Sequence, residues 1–156
     1  MRSLVLAAAL VLTPAAAFAD TVVQPPEGWS VVETDKSYDT LLADLKEAVK
    51  ANKMGLVTEA GPTEVAAKRG ETIPGNRVLG VFRNDFAVTI IRETPAAMIE
   101  APVRIMVMEE PDGTASMSYK LPSVVFAPYT DGGDGVADAA AQMDTIFATI
   151  VEQAAN

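Results

Sequence analysis

The sequence predicts one domain of mixed α and β structure, with about five strands, two main helices over residues 37–53 and 136–153, and shorter helices between them. Three observations lead to this prediction. A chain of 156 residues is of single-domain length. Short runs rich in β-branched and aromatic residues alternate with longer segments whose apolar residues recur every three or four positions. Two of the short runs are joined by an Asp-Gly turn, which is typical of an antiparallel hairpin.

Residues 1–19 are predicted to be a cleaved secretory signal. A basic residue precedes an apolar run over Leu4–Leu12, Pro14 interrupts it, and small residues stand before a cleavage point between Ala19 and Asp20. The apolar run is shorter than the roughly 20 residues that a membrane-spanning helix needs. We therefore expect an exported protein without a transmembrane segment, which in a two-membrane bacterium is periplasmic.

Composition excludes several kinds of chemistry. The chain has 21 acidic and 12 basic residues, a formal charge of −9, no histidine and no cysteine. Removing the signal takes away one arginine and no acid, so the exported chain has a formal charge of −10. Thiolate and imidazole catalysis are impossible. A nucleic-acid partner is not expected, because it requires clustered Lys and Arg.

The first strand and the first long helix have clear signals. Residues 20–35 form a lead-in and a strand over Trp29–Thr34, which is rich in β-formers. Ser37 is the predicted N-cap of the helix, which ends near Lys53 with Gly55 as its left-handed stop. The apolar stripe of this helix consists of Tyr38, Leu41, Leu42, Leu45, Ala48 and Val49.

Shorter elements follow. Leu56–Ala60 is a second strand, Thr63–Arg69 a brief helix that ends before Gly70, and Arg77–Phe82 a third strand. Residues 85–93 are ambiguous, since their β-branched residues favour strand while a preceding Asn-Asp pair and a following proline favour helix. The helix is the interpretation we favour.

Two strands over Val103–Glu109 and Thr114–Leu121 form the clearest hairpin, with two registers to choose between. A two-residue Asp-Gly loop would mix apolar and polar side chains across the strands. A three-residue Pro-Asp-Gly loop over 111–113 instead collects apolar pairs on one face. We predict the second register, which pairs Val107 with Met117, Ile105 with Tyr119, Met108 with Ser116, and Met106 with Ser118.

The chain is predicted to end in a loop and a long helix. After Pro122 a loop leads to a glycine-rich stretch, and Asp134 is the predicted cap of a helix over Val136–Gln153. Its apolar stripe consists of Val136, Ala140, Met143, Ile146, Phe147, Ile150 and Ala154.

Residues 37–122 resemble the family known as domain of unknown function 302. The resemblance rests on the order and spacing of three stretches rather than on one short motif. These are SYD at 37–39 leading through LK at 45–46 to MGL at 54–56, VLGVFRND at 78–85, and APVRIMV at 101–107 with the Asp-Gly turn and Ser-Tyr at 118–119. Residues 123–156 are interpreted as a loop and helix that complete the same domain.

The resemblance implies an α+β domain, in which helices pack on a mainly antiparallel sheet, and which is often found as a dimer. It implies no reaction. Many members have a histidine after the second strand, where this chain has EAGP at 59–62, and many have Gly-Asn-Pro where this chain has RND at 83–85. A function that depends on that histidine is therefore not implied here.

The triplet Arg83, Asn84 and Asp85 lies at a predicted strand-to-helix junction and is one candidate binding site. Asn84 or the free N–H groups of the helix could contact an anionic ligand there. The competing interpretation, which we favour, is that Asn84 caps the helix while Arg83 and Asp85 form a surface ion pair.

Met106 and Met108 are the second candidate, because they share one face of a strand. Thioethers bind copper(I), but Met117 falls on the opposite face and no histidine or cysteine assists. Methionines also fill irregular apolar surfaces. We therefore predict an adaptable apolar surface rather than a metal site.

No catalytic residue, metal ligand or cofactor is assigned. Asp131, Asp134 and Asp138 lie among glycines, yet their spacing does not match a calcium-binding loop. Glu109, Glu110 and Asp112 lie at a hairpin turn, where we expect a solvated turn rather than a catalytic pair of acids.

The function stays unassigned at this stage, with three hypotheses. The first is a non-enzymatic exported domain that binds a small apolar or amphipathic molecule, or a protein partner. The binding surface would be the sheet face of Met106 and Met108, or the groove between that face and the helices. The second is a structural role as a homodimer or a subunit of an envelope complex. The third is an enzyme without His or Cys that uses carboxylate, Arg, Lys or Tyr side chains, for which the region around Arg83, Asp85 and Tyr119 is one candidate location.

Overall fold

The computed structural model describes residues 25–131 and 133–156. The predicted signal and its cleavage point between Ala19 and Asp20 lie outside these residues and stay predictions. Across the described residues, no helix is both long enough and apolar enough to cross a membrane.

Five strands form one antiparallel sheet, which confirms the predicted α+β class. Their spatial order is β1-β5-β4-β3-β2, so the first strand of the chain lies beside the last. The strands are β1 Trp29–Thr34, β2 Gly55–Ala60, β3 Asn76–Phe82, β4 Val103–Glu109 and β5 Ala115–Lys120.

The helices include the two long ones that the sequence predicts. The α-helices are α1 Tyr38–Ala51, α2 Thr63–Lys68, α3 Asn84–Glu93, α4 Pro122–Phe126 and α5 Gly135–Ala155, with a 3-10 helix at Pro95–Glu100. The ambiguous segment 85–93 is helical, as favoured from the sequence.

Helices α1 and α5 pack together and cover one face of the sheet. The hydrophobic core lies between these layers, where burial removes apolar surface from water. Its largest fully buried side chains include Leu41, Leu45, Leu79, Ile105, Met117, Phe147 and Ile150. The domain therefore has two layers, and neither α1 nor α5 covers the other face of the sheet.

The predicted hairpin register is confirmed at every pair. Val107 lies across from Met117 and Ile105 from Tyr119. Gly113 has a φ of 85°, the left-handed value that the last position of the three-residue loop requires. One register choice therefore decides which side chains of β4 and β5 face the core.

The end of α1 differs from the prediction. Ser37 caps the helix as expected, since its hydroxyl accepts a hydrogen bond from the Thr40 N–H. The left-handed residue is Lys53, with a φ of 57°, and not Gly55, which already belongs to β2. Because the helix ends at Ala51, the reversal falls two residues before the glycine.

Two predicted helix starts are also wrong in detail. Asn84 does not cap α3, because it is already the first helical residue and the extended Arg83 occupies the cap position. Asp134 occupies the cap position of α5, but no described N–H donates to its side chain. Its φ of −82° and ψ of −13° are helical, whereas a capping side chain normally needs extended backbone to reach back.

The predicted loop after Pro122 is instead the short helix α4. Proline is favoured in the first turn of a helix, because its missing N–H needs no partner there. The Asp144 carboxylate of α5 accepts a hydrogen bond from the Ser123 N–H at 2.9 Å. This long-range contact stabilises a helix that its own sequence scarcely indicates.

Candidate ligand-binding site

The sheet face that α1 and α5 leave uncovered is called the open face here. Strand alternation and the register assign its residues. Its central members are Trp29, Val31 and Glu33 of β1, Ser116, Ser118 and Lys120 of β5, Arg104, Met106 and Met108 of β4, and Asn76, Val78 and Gly80 of β3. The face is apolar in its middle and polar at its margins.

Met106 and Met108 both lie on the open face, as the sequence predicts. Met106 is half-buried, while Met108 is 37% exposed. The side-chain amide of Asn76 lies 3.5 Å from the Met106 sulfur and 3.7 Å from that of Met108. Met117 lies on the opposite face, fully buried in the core. The placement is thus settled, and a role of the two methionines in binding stays a prediction.

A pocket of about 340 Å³ opens at one end of this face. Its volume is within the range of small-molecule sites, which starts near 300 Å³. The side chains that matter here are Trp29, Val78, Glu100, Arg104, Met106, Ser118, Lys120 and Val125. We call this cavity the open-face pocket.

Two cations face each other across the strands in the open-face pocket. The register that pairs Ile105 with Tyr119 places Arg104 across from Lys120. Neither forms an ion pair with any described acid, whereas six other Lys and Arg side chains do. The Lys120 ammonium lies 5.5 Å from the centre of the Trp29 ring, within cation–π range.

Ser118 contributes a buried hydroxyl to the open-face pocket. The residue is 8% exposed, and within the described chain its hydroxyl oxygen has no hydrogen-bond partner. Ser116 is buried to the same degree two residues earlier, but its hydroxyl donates to the Glu110 carboxylate. Buried polar groups almost always have partners. Ser118 is one of four side chains with a buried polar atom that lacks a partner among the described residues, beside Tyr38, Arg77 and Thr94, and it is the one that lines the open-face pocket.

Glu100 is the acidic residue of this lining within the part of the chain described. The Tyr129 hydroxyl donates a hydrogen bond to its Oε1 at 2.8 Å. This bond to a carboxylate raises the pKa of Tyr129. One oxygen of Glu100 is therefore already engaged by the protein.

The Arg83-Asn84-Asp85 triplet is arranged as the surface ion pair that the sequence favoured. The Arg83 Nε lies 2.7 Å from the Asp85 carboxylate, and its guanidinium lies 4.0 Å from the centre of the Phe86 ring. The hydrogen bond from Arg83 lowers the pKa of Asp85. Asn84 is exposed, and the hollow beside Arg83 and Phe86 has a volume of only about 20 Å³. Among the described residues, the hollow that Arg83 lines is therefore too small for a ligand.

The residues of the enzyme hypothesis do not converge. Tyr119 points to the core side of the sheet, where its ring centre lies 5.5 Å from that of Phe147, and burial raises its pKa. Tyr119 of β5 lies across from Ile105 of β4, which lies across from Leu79 of β3. Arg83 follows Leu79 by four residues. Strand dimensions give a Cα separation of about 16 Å, and Tyr119 does not line the small hollow beside Arg83.

A larger hollow of about 550 Å³ is lined by acids near the hairpin turn. It contains Glu33, Asp35, Glu110 and Asp112, and the Asp112 carboxylate accepts two hydrogen bonds from Thr114. In residues 25–131 and 133–156, no group of three or more His, Cys, Asp or Glu side chains is placed to hold a metal ion. We assign no ligand to this hollow.

Several residues of the open-face pocket were missed at the sequence level. The predicted register already placed Ser118 across from Met106, and the same register puts Arg104 across from Lys120. Two like charges directly across a strand pair are unfavourable, so this pair could have been identified from the sequence as a candidate binding feature. Trp29 was not predictable as a neighbour, since no local pattern indicates that β1 lies beside β5.

The chain was compared with known proteins. A family model described as "Domain of unknown function DUF302" matches residues 30–153. A crystal structure of an uncharacterized conserved DUF302 protein from Bacillus stearothermophilus superimposes with a TM-score of 0.72 and 16% sequence identity, covering 83% of this chain and 99% of that one. At 16% identity, this similarity shows that the two chains share a fold. The curated proteins contain no match.

Proposed function

The chain belongs to the DUF302 family, which is defined without a function, and we propose that this member is a non-enzymatic, exported domain that binds a small amphipathic molecule in the open-face pocket. The proposal assigns the binding to the sheet face of Met106 and Met108. It places the protein in the periplasm after cleavage between Ala19 and Asp20.

One observation carries the proposal: an apolar cavity of ligand size contains a buried hydroxyl that has no partner among the described residues. Val78 and Met106 supply apolar contact, and Ser118 supplies the polar group. Sites for small molecules commonly combine a mostly apolar wall with a few polar groups. The flexible thioether of Met106 also adapts to ligands of different shape.

The proposed location is supported by the amino-terminal sequence. Residues 1–19 have the charge, apolar run and small residues of a signal peptide. The chain contains no cysteine, so an oxidising compartment has no thiol to modify. Mass measurement of the protein purified from a periplasmic fraction tests this location, since cleavage would leave Asp20 at the amino terminus.

Binding itself is testable through Trp29, the single tryptophan of the sequence, which lines the open-face pocket. Titration with the dye 1-anilinonaphthalene-8-sulfonate should give saturable energy transfer from Trp29. Met106→Gln should weaken the dye affinity, because it places a polar amide in the apolar wall. Val65→Thr is the control, since Val65 is 56% exposed on α2, outside the pocket. Absence of saturation, or equal affinity in all three proteins, would overturn the proposal.

A homodimer is the second candidate function, and the edge strand β2 favours it. All six residues of β2 are exposed, with Leu56 at 37% and Val57 at 53%. An exposed edge offers unpaired backbone groups to another strand. Light scattering of the purified protein measures its mass, and Val57→Lys should convert a dimer into a monomer. A native protein that is monomeric would refute the homodimer and would leave the proposed ligand binding unaffected.

A further inference from the structure

We propose that the ligand of the open-face pocket is an amphipathic anion, whose negatively charged head group contacts Arg104, Lys120 and Ser118 while its apolar part lies along Val78 and Met106. This inference rests on the proposed binding function and specifies the chemical class of the ligand. A fatty acid is the simplest molecule of this class.

The first argument is the unpaired cation pair. Arg104 and Lys120 are cross-strand neighbours on the open face, where opposite side chains are about 5 Å apart at Cβ. Like charges on directly opposite residues of two strands are unfavourable, and both side chains are exposed. The sequence has 21 acids against 12 bases, yet none of the described acids pairs with either cation. An anionic group between them would remove the repulsion.

The second argument is the unsatisfied Ser118 hydroxyl. Ser118 is adjacent to Lys120 on the same face of β5 and lies across from Met106. Its hydroxyl has no acceptor among the described residues, although it is buried. A carboxylate accepts several hydrogen bonds at once. A head group held by both cations is therefore positioned to accept from this hydroxyl as well.

The third argument is the separation of polar and apolar parts in the open-face pocket. Arg104 and Lys120 form one row across the strands, and Val78, Met106 and Ser118 form the next row. Glu100 opposes an anion, but Tyr129 already donates to its carboxylate, and two cations outnumber it. The pocket thus has a positively charged end beside an apolar wall. It is complementary to a molecule that has a negatively charged end and an apolar part.

The test compares three ligands that share one tail. Octanoate, 1-octanol and octylamine are titrated into the purified protein at low ionic strength, with Trp29 fluorescence and calorimetry as readouts. We expect octanoate to bind about tenfold or more tightly than octanol, since hydrogen bonds to charged groups contribute this much. Octylamine should bind most weakly, because its cation meets Arg104 and Lys120.

Charge variants locate the head group. Arg104→Gln and Lys120→Gln should each weaken octanoate binding about tenfold and leave octanol binding unchanged. Arg92→Gln and Lys68→Gln remove the same charge from exposed positions outside the pocket. These two controls should not change either affinity, which separates a local contact from an effect of net charge.

Each of three outcomes decides a different claim. Equal affinities for octanoate and octanol overturn the anion inference and leave the proposed binding function standing. Octanoate binding that neither Arg104→Gln nor Lys120→Gln weakens overturns the assigned head-group contacts. No saturable binding of any of the three ligands overturns the proposed function itself.

Discussion

The Glu93 carboxylate accepts a hydrogen bond from the backbone N–H of Val136 at 3.2 Å. The last residue of α3 thus caps the first turn of α5, across 43 positions of sequence. The space beside this contact is tight, because a Cβ at Gly135 would collide with the Glu93 carboxylate. Helix N-termini contain N–H groups without internal partners, so this contact anchors the longest helix to its neighbour.

Removing this cap should destabilise the fold. Glu93→Ala is expected to lower the free energy of unfolding by about 1 kcal/mol, the usual effect of losing an N-cap acceptor. Urea denaturation measures this value. Asp134→Ala is the matched control and should cost less than half as much, because Asp134 accepts no capping hydrogen bond within the described chain. Equal losses in the two variants would refute the role of Glu93.

Replacing each of two serines on β5 by alanine should change the free energy of unfolding in opposite directions. Ser118→Ala removes a buried hydroxyl without a described partner and should raise the free energy of unfolding by up to about 1 kcal/mol. Ser116→Ala should lower it by about 1 kcal/mol, because the Ser116 hydroxyl donates to Glu110. Thermal or urea unfolding of the free protein measures both. A loss of stability in both variants would mean that Ser118 is satisfied in solution.

The Arg83–Asp85 pair should give a small pH-dependent stabilisation. The hydrogen bond from Arg83 lowers the pKa of Asp85 below its ordinary 3.8 in the folded protein. The stabilisation is therefore present above pH 3.8 and is lost as the pH falls through the folded pKa. Asp85→Asn should lower the free energy of unfolding at neutral pH by no more than about 1 kcal/mol, because the pair is exposed.

The measurement for Asp85 is a comparison of denaturation curves at neutral pH and well below pH 3.8. The difference between native protein and Asp85→Asn should shrink at the acidic value. In an Arg83→Gln background, Asp85→Asn should have a smaller effect, since the first cause of the pKa shift is gone. A difference that grows towards acidic pH would contradict the assignment.

Gly80 should not tolerate a side chain. A Cβ at this position would stand 2.6 Å from the Pro102 ring and collide with the Thr58 hydroxyl. Gly80→Ala is expected to lower the free energy of unfolding by roughly 1–3 kcal/mol, as overpacking usually does. In a Thr58→Ala background the cost should be smaller, because one of the two collisions is removed. Simple additivity of the two substitutions would rule out the contact.

Local patterns predicted most of the individual elements. The Pro-Asp-Gly turn and the alternation of apolar residues in β4 and β5 determined the register, which then assigned Met106 and Met117 to opposite faces. The apolar stripes of α1 and α5 were also sufficient to identify the buried faces of these helices, since Leu41, Leu45 and Phe147 are fully buried. Each of these features depends on residues close together in the sequence.

The missed features depend on distant partners. The Glu93 cap on α5 and the Asp144 contact to α4 connect residues 43 and 21 positions apart. The open-face pocket also needs the strand order, because Trp29 joins Lys120 only when β1 lies beside β5. No local periodicity indicates which strands become neighbours, so the pocket could be recognised only after the sheet was known.

The pairing of β1 with β5 has a consequence for how the chain folds. Trp29 finds its partner at Lys120, and the core that this pairing closes is then covered by α5, which ends at Ala155. Contacts of such long sequence separation slow folding, because a long loop must be closed before they form. The native sheet is therefore complete only after β5, the last strand in the sequence, has joined β1, the first.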